Sequence, residues 1–139
     1  MLRRTSFVTN DLARAGGLAS FSAKIKGIEG VVVNGAIRDV DEIRETRFPV
    51  FARAVTPITG KGRITTLSIN TSIEIDGVEI HPKDLVVADD NGTIVVPRER
   101  VEEVLKIALE INTNEENVRE KVGKGMTARE AEKELRIRI

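Results

Sequence analysis

Arg38 and Asp39 stand side by side in the stretch 30–42, GVVVNGAIRDVDE, directly after an apolar run. Val31, Val32 and Val33 are β-branched, too few for a helix and bounded by glycines, which predicts a buried strand broken at Asn34-Gly35. A guanidinium and a carboxylate are thereby delivered just beyond the carboxyl end of a core strand, where open α/β sheets place ligands. The plainer alternative is a helix start, with Asp39 near the N-cap and Arg38 in solvent.

A second candidate precedes it. From Gly17 the residues Leu18, Phe21 and Ile25, with Ala19 and Ala23 between them, have helical spacing up to Gly27. The first N–H groups of a helix lack intrahelical partners, and Gly16-Gly17 would let a carboxylate or phosphate approach them closely. Glycines serving only a tight loop-to-helix turn are the alternative. Other groups carry less. Lys61 and Arg63 in the loop 56–63, TPITGKGR, could meet an anion or simply be solvated. His81, the sole histidine, lies beside Pro82 without a second histidine as partner, which suits a structural turn. Asp89-Asp90-Asn91-Gly92 lacks the glycine spacing and terminal glutamate of a calcium loop and suits a hairpin turn.

The elements that must position these groups follow from periodicity. Phe7-Val8 could end a strand, with turn or cap chemistry at Asn10 and Asp11. Val40–Thr46 suits one or two helical turns, and Phe48–Ala52 a second buried strand starting at a proline. Then the character changes: 64–69, 72–75, 78–80, 84–88 and 93–96 are short β-favouring runs with turn residues between them, the spacing of hairpins. After Pro97 a helix is expected from about Arg98 to Ile111, interrupted over 112–117 and resuming over 118–122. Thr127 and Glu130 form a capping box for a last helix.

The chain of 139 residues suits one domain, and its 22 basic and 22 acidic residues leave no net field towards nucleic acid or an anionic membrane. Phe alone supplies the 3% aromatic content, so little supports base stacking. Without cysteine, thiolate chemistry, disulfides and Cys zinc sites are excluded. No run reaches membrane-spanning length and no secretory apolar segment opens the chain, so the cytoplasm is expected.

GGLASFSAKIKGIEGVVVNGAIRDVDEIRETRFPVFAR, strengthened by VEIHPKDLVVADDNGTIVVP, resembles the RraA-like family: 4-hydroxy-4-methyl-2-oxoglutarate aldolases and regulators of ribonuclease activity A. The resemblance covers about Asp11 to Val122. It implies an α/β, swivelling β/β/α domain over 1–122, with a mixed sheet, antiparallel hairpins and C-terminal helices, followed by a helical tail over 123–139. It also implies homotrimers or pairs of trimers with sites between subunits. By position, the family's carboxylate-binding amides fall on Gly16, Gly17, Leu18 and Ala19, its substrate-binding arginine on Arg38, and its metal-associated aspartate on Asp39. The implied activity is a divalent-metal-dependent lyase on short 2-oxo acids, by retro-aldol cleavage or oxaloacetate decarboxylation to pyruvate. Mg²⁺ or Mn²⁺ would stabilise enolate charge, and Arg38 and the helix start would orient the carboxylate. The implied alternative is a non-catalytic oligomeric regulator. Three departures stand out. Gly17 occupies a position where many of the aldolases carry an acid, so Asp41 or Glu42 would have to assist. Lys83 stands where a glycine is common, and the usual strand-and-helix segment before Asp11 is missing.

Overall fold

Strand β2 (Gly30–Ile37) lies at the centre of a three-stranded parallel sheet, between β1 (Thr5–Thr9) and β3 (Val50–Val55). Phe7 pairs with Val32, and Val32 with Phe51, so the valine run is hydrogen-bonded on both sides. A computed structural model describes residues 5–9, by backbone alone, and 16–135. The expected turn or cap at Asn10 and Asp11 lies outside the described residues. Two units divide the chain, Met1–Pro97 and Arg98–Ile139.

In the first unit, the strands are linked through α1 (Gly17–Ile25) and α2 (Val40–Thr46). β2 does not stop at Asn34-Gly35, as the local sequence suggests, but continues to Ile37. The ladder shifts register between Val33 and Ala36, so this pair makes an irregularity within the strand. β1 still pairs with Asn34, and the ladder to β3 resumes at Ala36, so pairing on either side of the irregularity overrides the local turn preference.

Val31, Val33, Ile37, Ile43 and Phe48 form the core, with Ala23, Ile28, Val40 and Val50 packed against it. Burying side chains of this size stabilises by roughly 1.5–3 kcal/mol each. Packing of Ile43 and Phe48 therefore anchors the middle of α2 and the segment just after it on the core. On α1 the apolar row faces outward: Leu18, Phe21 and Ile25 are 78%, 50% and 72% exposed, whereas Gly17 and Ser20 are buried.

Two antiparallel hairpins follow, β4 (Ile73–Ile75) with β5 (Val78–Ile80) and β6 (Leu85–Asp89) with β7 (Gly92–Val96). Asp76 and Gly77 both take positive φ, 53° and 76°, the conformation a two-residue hairpin turn demands. Lys83 has φ 82°, a conformation that glycine adopts readily and a residue with a side chain rarely does. The run 64–69 forms no strand: it has no ladder partner among the described residues, and Leu67 and Ile69 are exposed. Arg53 of β3 ties the sheet to the first hairpin by bonding both Asn34 and Asp76. Asp89 accepts from the Asn91 amide at 2.8 Å, and this bond holds its carboxyl below the usual range. His81 likewise belongs to a turn, its amide donating to Asp84 at 2.8 Å and its Nε2 lying 3.2 Å from Glu79.

In the second unit, α3 (Val101–Gly123) runs unbroken through 112–117, where an interruption was expected. The polar side chains there bond along the helix instead of breaking it: Asn112 to Glu116 at 3.0 Å and Thr113 to the Leu109 carbonyl at 2.9 Å. α4 (Ala128–Glu134) starts with the expected capping box at Thr127 and Glu130. No helix among the described residues is long and apolar enough to cross a membrane.

Candidate functional site

β2 ends at Ile37, so Arg38 and Asp39 fall in the two-residue connection to α2. Asp39 occupies the N-cap position of α2, yet its side chain caps nothing there. Its backbone is left-handed, φ 59° and ψ 43°, a conformation unusual for any residue but glycine. The carboxylate is thereby turned towards the start of α1, where Oδ2 accepts from the Gly17 N–H at 3.2 Å. Arg38 Nε lies 3.3 Å from the same oxygen. Both members of the pair are partly exposed, 41% and 36% at the side chain, open to a ligand as well as to each other.

The glycines at the start of α1 are required by this approach. A Cβ on Gly16 would lie 2.7 Å from Asp39 Oδ2 and 3.1 Å from Arg38 Nε. On Gly17 it would lie 1.8 Å from Glu42 Oε2, inside the carboxylate. The Glu42 side chain thus fills the very space that a side chain at Gly17 would enter. Asp41, the other acid considered, points elsewhere and pairs with Arg44 at 3.5 Å.

The structure therefore brings Gly16, Gly17, Arg38 and Asp39 together and adds Glu42. The first bond inside α1 runs from the Ser20 N–H to the Gly16 carbonyl at 3.0 Å. The Gly17 amide is engaged by Asp39, which leaves the Leu18 and Ala19 amides as donors without an intrahelical acceptor. Ser20 is a residue the sequence did not single out. It is buried, one turn behind Gly17 on the same face, and its hydroxyl has no hydrogen-bond partner among the described residues. Nothing local distinguishes a serine of this kind.

Asp39 and Glu42 offer oxygen donors of the hard type that Mg²⁺ and Mn²⁺ prefer. No group of three ligating side chains converges among the described residues. A cation here would complete its shell with water and ligand oxygens, which is the usual habit of Mg²⁺. The donor set fits such an ion.

The loop over 56–63 starts at the same end of the sheet. Ile37 pairs with Val55, and the Thr56 N–H donates to the Ile37 carbonyl at 2.8 Å, so Thr56 leaves β3 alongside Arg38.

Comparison with known proteins gives the family. The family model described as RraA-like, Aldolase/RraA, matches residues 6–95. An uncharacterised protein of Methanocaldococcus jannaschii is 40% identical over 83% of this chain and 55% of its own length. A 4-hydroxy-4-methyl-2-oxoglutarate aldolase of Thermus thermophilus is 35% identical over 68% of this chain and 52% of its own. The chain thus spans about half the length of these curated relatives. A crystal structure of an uncharacterised protein from Pseudomonas syringae superposes with a TM-score of 0.87 at 29% identity, covering 91% of this chain and 66% of that one. With its parallel sheet, its hairpins and the glycine-led helix facing an Arg-Asp pair, the chain belongs to the RraA-like family.

Proposed function

We propose that the protein is a divalent-metal-dependent lyase on short 2-oxo acids, cleaving 4-hydroxy-4-methyl-2-oxoglutarate-like substrates or decarboxylating oxaloacetate, with pyruvate as product. The observation that carries this reading is the convergence on Asp39 of the Gly17 amide and the Arg38 guanidinium, held by a left-handed backbone. Arg38 engages Asp39 through Nε, which leaves its two terminal amino groups to take the substrate carboxylate as a fork. The Leu18 and Ala19 amides add fixed donors, and the positive end of α1 favours the same anion.

Asp39 and Glu42 would hold Mg²⁺ or Mn²⁺. When bound, the cation supplies Lewis-acid stabilisation of charge developing on the keto oxygen. In retro-aldol cleavage the bond between C3 and C4 breaks, the C4 hydroxyl gives up its proton, and C3 receives one. In decarboxylation the same carbon is freed by loss of CO₂. A water held by Glu42, above the first turn of α1, would accept the hydroxyl proton. The aldolase name carried by relatives at this level of identity supports the substrate class.

The second reading is a non-catalytic oligomeric module on the same scaffold, of the ribonuclease-regulator type. The outward apolar row Leu18, Phe21 and Ile25 supports assembly into trimers or pairs of trimers under either reading. The deciding experiment is calorimetry of pyruvate or oxalate binding with and without Mg²⁺ or Mn²⁺, followed by a pyruvate-release assay, with Arg38→Ala and Asp39→Ala as controls. The lyase reading expects metal-dependent binding that both substitutions abolish. Absence of binding in the folded oligomer would leave the regulatory module.

A further inference from the structure

Two hydrogen bonds cross between α1 and α2, one at each end. At the starts, the Gly17 amide donates to Asp39 Oδ2 at 3.2 Å. At the ends, the Lys24 ammonium donates to the Thr46 carbonyl. Each bond joins residues 22 positions apart, so the helices run side by side in the same direction and in one register. Glu42 lies between the two ties. Its Oε2 would stand only 1.8 Å from a Cβ on Gly17, so the place of that carboxylate is fixed by the spacing of the two helices.

The tie at the far end is made of groups that suit each other. The last carbonyls of a helix have no intrahelical donor, and its negative pole favours a cation. At the end of α2 the Ile43 carbonyl takes the Thr46 hydroxyl at 2.7 Å, the Arg44 carbonyl takes the Arg47 amide at 3.0 Å, and the Thr46 carbonyl takes Lys24. Lys24 belongs to the last turn of α1 and thus closes the end of the neighbouring helix. α2 has only seven residues, so what holds each end sets its direction. Along α1, Lys24 stands seven residues past Gly17, a rise of roughly 10 Å. It is therefore removed from the Asp39 carboxylate that it helps to frame.

We propose that Lys24 is a positioning residue: by tying the end of α2 to α1, it sets the spacing at which Glu42 stands over Gly17, and with it the affinity of the site for a divalent cation. This rests on the reading that Asp39 and Glu42 hold that cation. The sign of the effect separates this role from two ordinary ones. A lysine acting only by its charge repels a cation, so its removal strengthens binding, and weakly, because salt screens over about 8–10 Å. A lysine acting only as a helix cap changes stability and leaves cation affinity alone. A lysine that positions Glu42 weakens cation binding when it is removed, and only while Glu42 is present.

The test is calorimetric titration of the whole protein with Mn²⁺ alone, with circular dichroism confirming that each variant is folded. The variants are Lys24→Met, which keeps the apolar stem, Lys24→Ala, Lys24→Arg, Glu42→Ala and Lys24→Met/Glu42→Ala. Lys24→Met and Lys24→Ala are expected to weaken Mn²⁺ binding about fivefold, the worth of one ordinary hydrogen bond. Lys24→Arg should recover most of the loss, since a guanidinium also donates to a carbonyl. In the Glu42→Ala background, where Asp39 still offers an oxygen, Lys24→Met should add no further loss. Unchanged or tighter Mn²⁺ binding by folded Lys24→Met and Lys24→Ala, or the same loss on top of Glu42→Ala, overturns the role of Lys24 alone. Failure of the wild type to bind Mn²⁺ overturns the cation reading of the site, and this proposal with it.

Discussion

Asp39 stands at the N-cap of one helix and serves the first turn of another, its Oδ2 accepting from the Gly17 amide at 3.2 Å while α2 goes without a side-chain cap. A left-handed non-glycine residue costs about 1–2 kcal/mol, and a forgone N-cap about 1 kcal/mol more. A partly exposed ion pair such as Arg38–Asp39 returns about 0–1 kcal/mol. Local stability does not account for this arrangement, which is the pattern of a site held in place by its surroundings.

Asp39→Gly is therefore expected to leave thermal stability unchanged or raise it, by up to about 1 kcal/mol, while abolishing the metal-dependent pyruvate binding that the proposed function requires. Thermal unfolding and calorimetry on the same sample check both halves. A destabilised variant that still binds would contradict this account of Asp39.

Gly17→Ala places a methyl where Glu42 Oε2 now lies, 1.8 Å away, and should displace that carboxylate. On the proposed lyase reading, pyruvate release is expected to fall by tenfold or more, on the order of the loss seen when a positioned acid–base group is removed. Gly17→Asp combined with Glu42→Ala returns a carboxylate to the same space from the other helix. Recovery of metal-dependent binding above either single variant is the expected result, and an additive loss would show that the two positions do not share a role.

Ser20→Ala removes a buried hydroxyl that has no partner among the described residues. Its desolvation penalty disappears with it, so the midpoint of chemical denaturation should rise, corresponding to about 1 kcal/mol. A lower midpoint would mean that the hydroxyl has a partner in solution.

The capping box of α4 makes the second unit sensitive to acid. The Thr127 side chain and amide hydrogen-bond the Glu130 carboxylate and hold its pKa below the ordinary 4.5. A carboxyl with a lowered folded-state pKa stabilises fully above its unfolded value and progressively less as pH falls through the folded one. Helicity followed by circular dichroism should thus decline below about pH 4.5. Glu130→Gln should flatten that decline. An identical acid profile in the variant would remove Glu130 as its cause.

Much of the site was legible in the sequence because its parts lie next to chain punctuation. An apolar β-branched run marks β2, Gly16-Gly17 marks the open start of α1, and Arg38 and Asp39 follow where the strand ends. The hairpins and the Thr127–Glu130 cap were readable for the same reason: turn and cap chemistry is local. Two local readings did not hold, one because of neighbouring strands and one because of bonds along the helix itself. Asn34-Gly35 reads as a turn but lies inside β2, because β1 pairs up to Asn34 and β3 pairs before and after the two residues. The polar stretch 112–117 reads as a break but stays helical, because its side chains bond one turn along the helix.

The amino-acid order alone thus determined which elements form around Gly16, Gly17, Arg38 and Asp39, since periodicity, glycine and capping act within a few residues. Only the tertiary structure decided that the apolar row of α1 faces outward, that Asp39 turns from its own helix to Gly17, and that Glu42 rather than Asp41 fills the space above that glycine. Gly17 and Glu42 are 25 positions apart in the chain. Their meeting depends on how α1 and α2 pack on one sheet, and burial of Ile43 and Phe48 sets that packing without any local signal in the residues it brings together.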